Sequence, residues 1–438
     1  MSTSSLKAST GELEHDTQTG RTLYRKLTLR FAPFLCLCFF AAFLDRVNVG
    51  IAKLQMLDSL GFSETVYGLG AGLFFVGYIL FEVPSNLILD KVGARFWIAR
   101  IMVTWGILSG LTMFVKTPGQ FYTVRFLLGL AEAGFLPGAL LYLTYWFPDA
   151  RRGRIVALFM VGLPMSSLLG APLSGWILSS FNGVHGLQGW QWLFFLEALP
   201  SVVLGILVYM FLPGNYDNAR FLTPAETARL KQDIGTDQGE KKGHQLGQAF
   251  KDPKVWAVGY LDLCILLCFY SISFWMPTML REAGVRSTGE IGALMAIPNA
   301  LAVAMVLVTG ISSDRFRERR WHVAVPLLCS ALGLIASAFC SGSVFATVLV
   351  LSIANAGAAA AMPVVWSLPS TFLKGTAAAA GIAFACSIAN LGGFASTYFL
   401  GWMKDQTHSM SAGVITFGVC LLAGCVLALV MPKRIVNR

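Results

Sequence analysis

The sequence predicts an all-α membrane protein, twelve transmembrane helices in two six-helix bundles, and three observations carry that prediction. Charged residues are 13% of the 438 residues, against roughly 25% in soluble domains. AVILMFWYC residues reach 55% and mean hydropathy is +0.65. Apolar runs recur from Phe31 to Met431, each close to the roughly 20 residues that carry a helix across about 30 Å of hydrocarbon. One long polar segment near the middle of the chain separates six runs from six.

The spans read as about 30–51, 66–89, 95–115, 119–147, 154–181, 190–212, 254–280, 290–312, 322–341, 344–367, 375–401 and 410–431. An even number of crossings puts both termini on one side, and most of the 33 Lys and Arg lie on that side. Five fall opposite (Lys53, Lys116, Arg281, Arg286 and Lys404), and Arg46 and Arg125 fall inside spans. The positive-inside rule makes the basic side cytoplasmic, so the expected location is the cell inner membrane with both termini in the cytoplasm. The net charge of +10 is then mostly topology. No loop offers the contiguous basic stripe with interleaved aromatics that nucleic acid would need; the expected surroundings are a lipid bilayer.

The division of the chain follows: a cytoplasmic tail at 1–29, an N-terminal bundle at 30–212, a linker at 213–253, a C-terminal bundle at 254–431 and a short tail at 432–438. The polar first 20 residues read as disordered. In the linker, Thr223-Pro224-Ala225-Glu226 is a capped helix start, and the segment as a whole reads as solvated. All nine cysteines fall within apolar spans without a CxxC, which makes them small core residues and supports no metal site. Nor is there a catalytic motif, or a phosphate-cradling loop for ATP. The expected driving force is a proton gradient, with no bound cofactor. Acidic and basic turns after spans two and eight, at Asp90 and Asp314, form a faint repeat of the two halves. Carriers built from such duplicated halves rock about a site near the midplane.

Seven ionisable residues lie within the spans: Asp45, Arg46, Glu82, Arg125, Glu132, Glu197 and Asp262. Each costs several kcal/mol in hydrocarbon unless paired or hydrated. At 1.5 Å per residue, Asp45, Arg46 and Arg125 share a depth in the outer half, and Glu132 lies about 10 Å below Arg125 on the same face. An arginine stays protonated and can hold a carboxylate bidentately. An acid beside it is ionised while paired and takes a proton when a substrate claims the arginine, so binding and protonation become linked. Asp45 is expected to compete for Arg46 or Arg125 at its own level, and Glu132 from below. Glu197 reads as structural pairing, Asp262 as a snorkelling acid near the inner edge, and Glu82 as either a cap or a functional acid. Tyr78, Asn390 and Ser387 are the neutral candidates for shaping a substrate. Asn299 after Pro298 and Asn355 before Gly357 mark places where a span can break.

Four strings carry a family resemblance: Leu44-Asp45-Arg46-Val47-Asn48, the run from Gly77 through Tyr78 and Glu82 to Asn86, the run from Arg125 through Glu132 to Phe135, and Ser387-Ile388-Ala389-Asn390-Leu391-Gly392-Gly393-Phe394. In this order and spacing the chain resembles a major facilitator superfamily transporter over essentially its full length, and more narrowly the anion:cation symporter family. The resemblance implies proton sites at Asp45 and Glu132, with Arg46 and Arg125 engaging substrate or the coupling acids. It also points to Asn390, and to a gating motif at Asp90 and Arg95 and again at Asp314 and Arg315. After Trp366-Ser367-Leu368 comes Pro369-Ser370-Thr371 in place of the Ser-Asp pair frequent in sugar-acid carriers, and Gly375 to Gly381 matches the tartrate, phthalate and hydroxyphenylacetate type. The resulting expectation is proton-coupled uptake of a small organic carboxylate by a monomer, tartrate-like or sugar acid first and aromatic acid second. Export runs the same cycle backwards. A non-transporting ligand sensor would belong to a different class.

Overall fold

The computed structural model describes residues 3–216, 219–235, 252–316, 318–340, 342–369 and 375–432. Its first half comprises α1 (Thr3–Val47), α2 (Val49–Leu60), α3 (Glu64–Val92), α4 (Ala94–Leu111), α5 (Pro118–Glu132), α6 (Phe135–Thr144), α7 (Asp149–Met160), α8 (Gly162–Ser180) and α9 (Gly189–Phe211). A linker helix, α10 (Pro224–Gly235), leads to the second half: α11 (Pro253–Glu282), α12 (Thr288–Phe316), α13 (Arg320–Ser337), α14 (Val344–Ser367), α15 (Gly375–Thr407) and α16 (Ser411–Val430). Eleven of the described helical segments are long and apolar enough to cross a membrane, and α15 brings the crossings to twelve. Helices are what hydrocarbon permits, because every backbone polar group is satisfied within its own segment.

The surface is inverted relative to a water-soluble protein. Phe339 and Phe345 are each 77% exposed, while Asp45, Arg125, Glu132, Glu197 and Asp262 are buried. The apolar faces meet lipid, and the costly charges are kept for the interior.

Three crossings are each made of two helical segments. The first divides at Asn48 between α1 and α2 and the fifth at Val161 between α7 and α8, both with helical backbone, and the fourth is broken outright between α5 and α6. At that last break Gly134 has φ +92°, and a Cβ there would collide with Ser85 Oγ. The Ser85 hydroxyl donates to the Ala133 carbonyl at 2.7 Å and accepts from Trp97 Nε1 at 2.9 Å. A freed carbonyl in the membrane interior is thereby satisfied. The breaks expected at Pro298 and Gly357 do not occur, since α12 and α14 run through both. Asn355 instead donates to the Pro298 carbonyl at 3.3 Å, which ties the two helices together.

Two polar segments are helical where their composition predicts a solvated chain. The helix of the first crossing extends back to Thr3, where a disordered tail is expected. The linker helix α10 begins with a reciprocal cap: Glu226 N–H donates to Thr223 Oγ1 at 3.2 Å, and Thr223 N–H to Glu226 Oε2 at 2.8 Å. It is docked rather than solvated. Glu226 pairs with Lys26 at 2.9 Å, Tyr24 donates to Asp233 at 2.8 Å, and Leu230 is buried.

This end of the molecule, which holds α10 and the end of α16, is called the basic end below, and the other the far end. The bundles meet along α3 with α15, α8 with α12, and α2 with α11. Close backbone approach sits in the far halves of these helices: a Cβ on Gly68 would collide with the Thr397 carbonyl oxygen, and one on Gly401 with that of Glu64. Small residues let helices approach where the hydrophobic effect gives no help.

Candidate substrate and coupling site

Arg46 lies in the last turn of α1, just before Asn48. Its Nε donates to Glu132 Oε1 at 3.0 Å, and its Nη2 reaches the same oxygen. Nη1 donates to Tyr270 Oη at 3.2 Å, across the seam between the bundles. The guanidinium is 5.1 Å from the Tyr78 ring centroid and 5.2 Å from that of Phe74, so aromatic faces share the task of holding the cation. Glu132 ends α5, beside the Gly134 break. The partner of Arg46 is therefore fixed by a helix end, not by a flexible loop.

Arg125 lies two turns earlier on α5, and its guanidinium is 5.2 Å from the centroid of the same Phe74 ring. It is fully buried, and Nε, Nη1 and Nη2 have no hydrogen-bond partner among the described residues. Tyr67, near enough for its hydroxyl to interact electrostatically with Arg125, is also buried, and that hydroxyl has no hydrogen-bond partner among the described residues. A buried charge without a partner costs several kcal/mol. Five guanidinium N–H donors and a neighbouring phenol are thus left without hydrogen-bond partners among the described residues, a donor set that suits a carboxylate.

Asp45 is 1% exposed and accepts from Trp105 Nε1 at 3.0 Å, Ser109 Oγ at 2.8 Å and Ser201 Oγ at 2.5 Å. Its hydrogen bonds therefore come from neutral donors on α4 and α9, where competition for Arg46 or Arg125 is expected. The reason is helical geometry: successive residues are about 100° apart around the axis, so Arg46 faces the seam while Asp45 faces its own bundle. The depth arithmetic likewise separates Arg46 from Glu132, yet the long arginine side chain spans the difference.

Among the other candidates, Tyr78 lies against Arg46. Asn390 donates to the Cys386 carbonyl of its own helix at 3.1 Å, and Ser387 is half-buried one turn earlier. The hydrogen bonds of Arg46 among the described residues go to Glu132 and Tyr270, so the structure does not bring these two α15 residues into its shell. Asp262 is buried and accepts from Trp366 Nε1 at 3.2 Å, which replaces the expected snorkelling acid with a fixed contact between α11 and α14. Arg95 donates to the Tyr209 carbonyl at 2.8 Å, at the end of α9, and Arg315 is exposed. The side chains of Asp90 and Asp314 lie outside the described residues.

Sequence reasoning misses Tyr270, Tyr67 and a whole ionic cluster at the far end. Lys53 is read as a loop residue, but α2 continues to Leu60 and Lys53 is 3% exposed. Its ammonium contacts Glu64 Oε2 at 2.6 Å and Thr278 Oγ1 at 2.8 Å and sits 3.6 Å above the Trp275 ring. Lys404 bridges Glu64 at 2.7 Å and Glu282 at 2.8 Å. Asp405 accepts from the first N–H groups of α3, and Arg281 donates to the Leu54 carbonyl at 2.6 Å. The signal that could have found Lys53 is the apolar run around it, Val49 to Met56, which continues the first span beyond residue 51.

Comparison with known proteins agrees with this architecture. A family model described as "Major Facilitator Superfamily" matches residues 35–396. The chain is 53% identical over 429 residues to the candidate metabolite transport protein NicT of Pseudomonas putida, covering 98% of each chain. It is 45% identical over 413 residues to a candidate tartrate transporter of Agrobacterium vitis, covering 93% of this chain and 94% of the relative. The crystal structure of a D-xylose-proton symporter superimposes with a TM-score of 0.72 at 16% identity, covering 92% of this chain and 98% of that one.

Proposed function

The chain belongs to the Major Facilitator Superfamily, and on that premise we propose that it is a proton-coupled symporter for a small organic carboxylate, working in the cell inner membrane with the basic end in the cytoplasm. The observation that carries the reading is Arg125, a buried cation with no hydrogen-bond partner among the described residues, two turns from a paired Arg46 and Glu132. The Lys53, Glu64, Lys404 and Glu282 cluster ties the two bundles together at the far end.

Arg125 and Tyr67 receive the substrate carboxylate. A second acceptor on the substrate, a hydroxyl or another carboxylate, competes for Arg46 and displaces Glu132. Losing its cation, Glu132 favours the protonated form, and the loaded, protonated site crosses between the two faces. Asp45, held by three neutral donors, is the second proton site. Phe74 and Tyr78 flank Arg46, and Phe75, Tyr270 and Phe274 form an adjoining aromatic cluster. That wall favours an aromatic acid as the second substrate reading; tartrate-like acids come first, following the Agrobacterium relatives.

The test is reconstitution into liposomes with a panel of hydroxy-, sugar- and aromatic carboxylates, with and without an imposed pH gradient. Accumulation of one class driven by the gradient, with accompanying alkalinisation outside, is expected. Transport indifferent to pH, or movement of none of the panel, overturns the proposal.

A further inference from the structure

Glu197 on α9 is a buried carboxyl that the cycle above does not use. Ser174 of α8 donates to its Oε1 at 2.6 Å. Asn48, between α1 and α2 in the first crossing, lies beside it. The second oxygen of Glu197 and both polar atoms of Asn48 find no partner at hydrogen-bond geometry among the described residues. Such a spot is polar, enclosed and incompletely satisfied, and it lies close to a coupling acid.

Its position gives it a direction. Asp45 is the titratable group whose charge reaches Glu197; the neighbours that touch the carboxyl, Ser174 and Asn48, are neutral. Ser201, which donates to Asp45, lies one turn from Glu197 on the same face of α9. Because α9 starts at the far end, Glu197 is the more distal of the two. On the first crossing, which runs the other way, Asn48 is likewise distal to Asp45. Asn48 and Ser174 also line a narrow cavity between the bundles, with Ser167, Ser273 and Asn299 among its polar walls. Polar groups therefore run in order from that cavity through Asn48 and Ser174 to Glu197, then Ser201, then Asp45.

We propose that Glu197 is a proton-relay residue that loads Asp45 from the far side of the membrane. Water entering from the cavity past Asn48 and Ser174 delivers a proton to the free Oε2 of Glu197. A water between Glu197 and Ser201 takes up that proton and passes one of its own to the Ser201 hydroxyl, which releases its own to Asp45, so Glu197 returns to the carboxylate and one proton has moved. This inference rests on the symport reading.

The experiment compares wild type, Glu197→Gln and Ser174→Ala in proteoliposomes, each assayed for substrate exchange at equal pH and for accumulation driven by a pH gradient. Glutamine keeps the acceptor for Ser174 but cannot carry a proton. Exchange by Glu197→Gln is expected within about twofold of wild type, with proton-driven accumulation reduced about tenfold or more and its dependence on far-side pH flattened. If Glu197→Gln does not fold, Ser174→Ala carries the test, with accumulation about threefold lower and exchange unchanged. Accumulation equal to wild type in the folded variant overturns the relay. Equal loss of exchange and accumulation also overturns it, because that marks a packing role. A wild type that moves no protons overturns the symport reading and the relay with it, whereas a coupled wild type beside a coupled Glu197→Gln overturns the relay alone.

Discussion

Two ionic clusters join the halves of this protein, and they are built on opposite principles. At the far end, Lys53, Lys404, Glu64 and Glu282 are ion-paired with one another, with Thr278 and the Trp275 ring completing the shell around Lys53. Midway along the seam, Arg46 is paired with Glu132 and Tyr270, but Arg125 keeps three guanidinium nitrogens without a hydrogen-bond partner among the described residues. Charge balance distinguishes a latch from a receptor. A satisfied cluster stabilises one arrangement of helices, whereas an unsatisfied cation stores a cost that an incoming anion relieves.

Removing the unsatisfied charge sharpens that contrast most. Arg125→Gln is expected to lower substrate affinity by about a hundredfold, in the range of a lost bidentate, charge-assisted contact, without lowering the melting temperature. Binding measured by substrate-induced thermal shift checks both halves; wild-type affinity or a large loss of stability would place Arg125 with the structural pairs. Glu132→Gln comes next. Exchange is expected to persist while gradient-driven accumulation falls by about tenfold or more, and undiminished accumulation would remove Glu132 as a coupling acid.

The two clusters were unequally legible in the sequence. Charges inside apolar runs are conspicuous because hydrocarbon penalises them, so Arg46, Arg125 and Glu132 stand out from spacing alone. Which of them touch is decided by rotation about each helix and by side-chain reach. That is why Asp45, adjacent to Arg46 in sequence, hydrogen-bonds to Ser109 and Ser201 in its own bundle. Tyr270 is invisible for another reason: aromatics are abundant in membrane helices, and nothing local separates a partner of Arg46 from packing. The latch escapes because Glu64, Glu282 and Lys404 come from helix ends, where Lys and Glu read as solvated loop residues, and Lys53 from a helix that runs past the expected end of its span. Twelve crossings in two halves, by contrast, follow from composition and run length, since lipid leaves the backbone few alternatives.

Breaking the latch tests the other side of the comparison with a smaller effect. Lys53→Met removes the ammonium that meets Glu64, Thr278 and Trp275, yet Glu64 keeps Lys404. The closed far end is expected to lose about 1–3 kcal/mol, as for a charged hydrogen bond removed without stranding its partner. Spin labels at the far ends of α2 and α11 should then report a longer distance in a larger fraction of molecules, and substrate affinity at Arg125 should stay within about threefold. An unchanged distance distribution would mean that the glycine contacts at Gly68 and Gly401 hold the seam without Lys53.

The smallest effect is expected at Asp262, the one acid of the second bundle among the seven span charges. Its Oδ1 accepts from Trp366 Nε1 at 3.2 Å, linking α11 to α14 within a single bundle. It belongs to neither cluster, and asparagine at this position can accept the same bond. Asp262→Asn should therefore leave accumulation, exchange and the melting temperature close to wild type, with a change below about 1 kcal/mol, the net worth of one exchanged hydrogen bond. Proton-to-substrate stoichiometry is the decisive measurement. A drop in that ratio would show that the second bundle contributes its own coupling acid, and the division between a charged first half and a largely neutral second half would no longer describe where protons are carried.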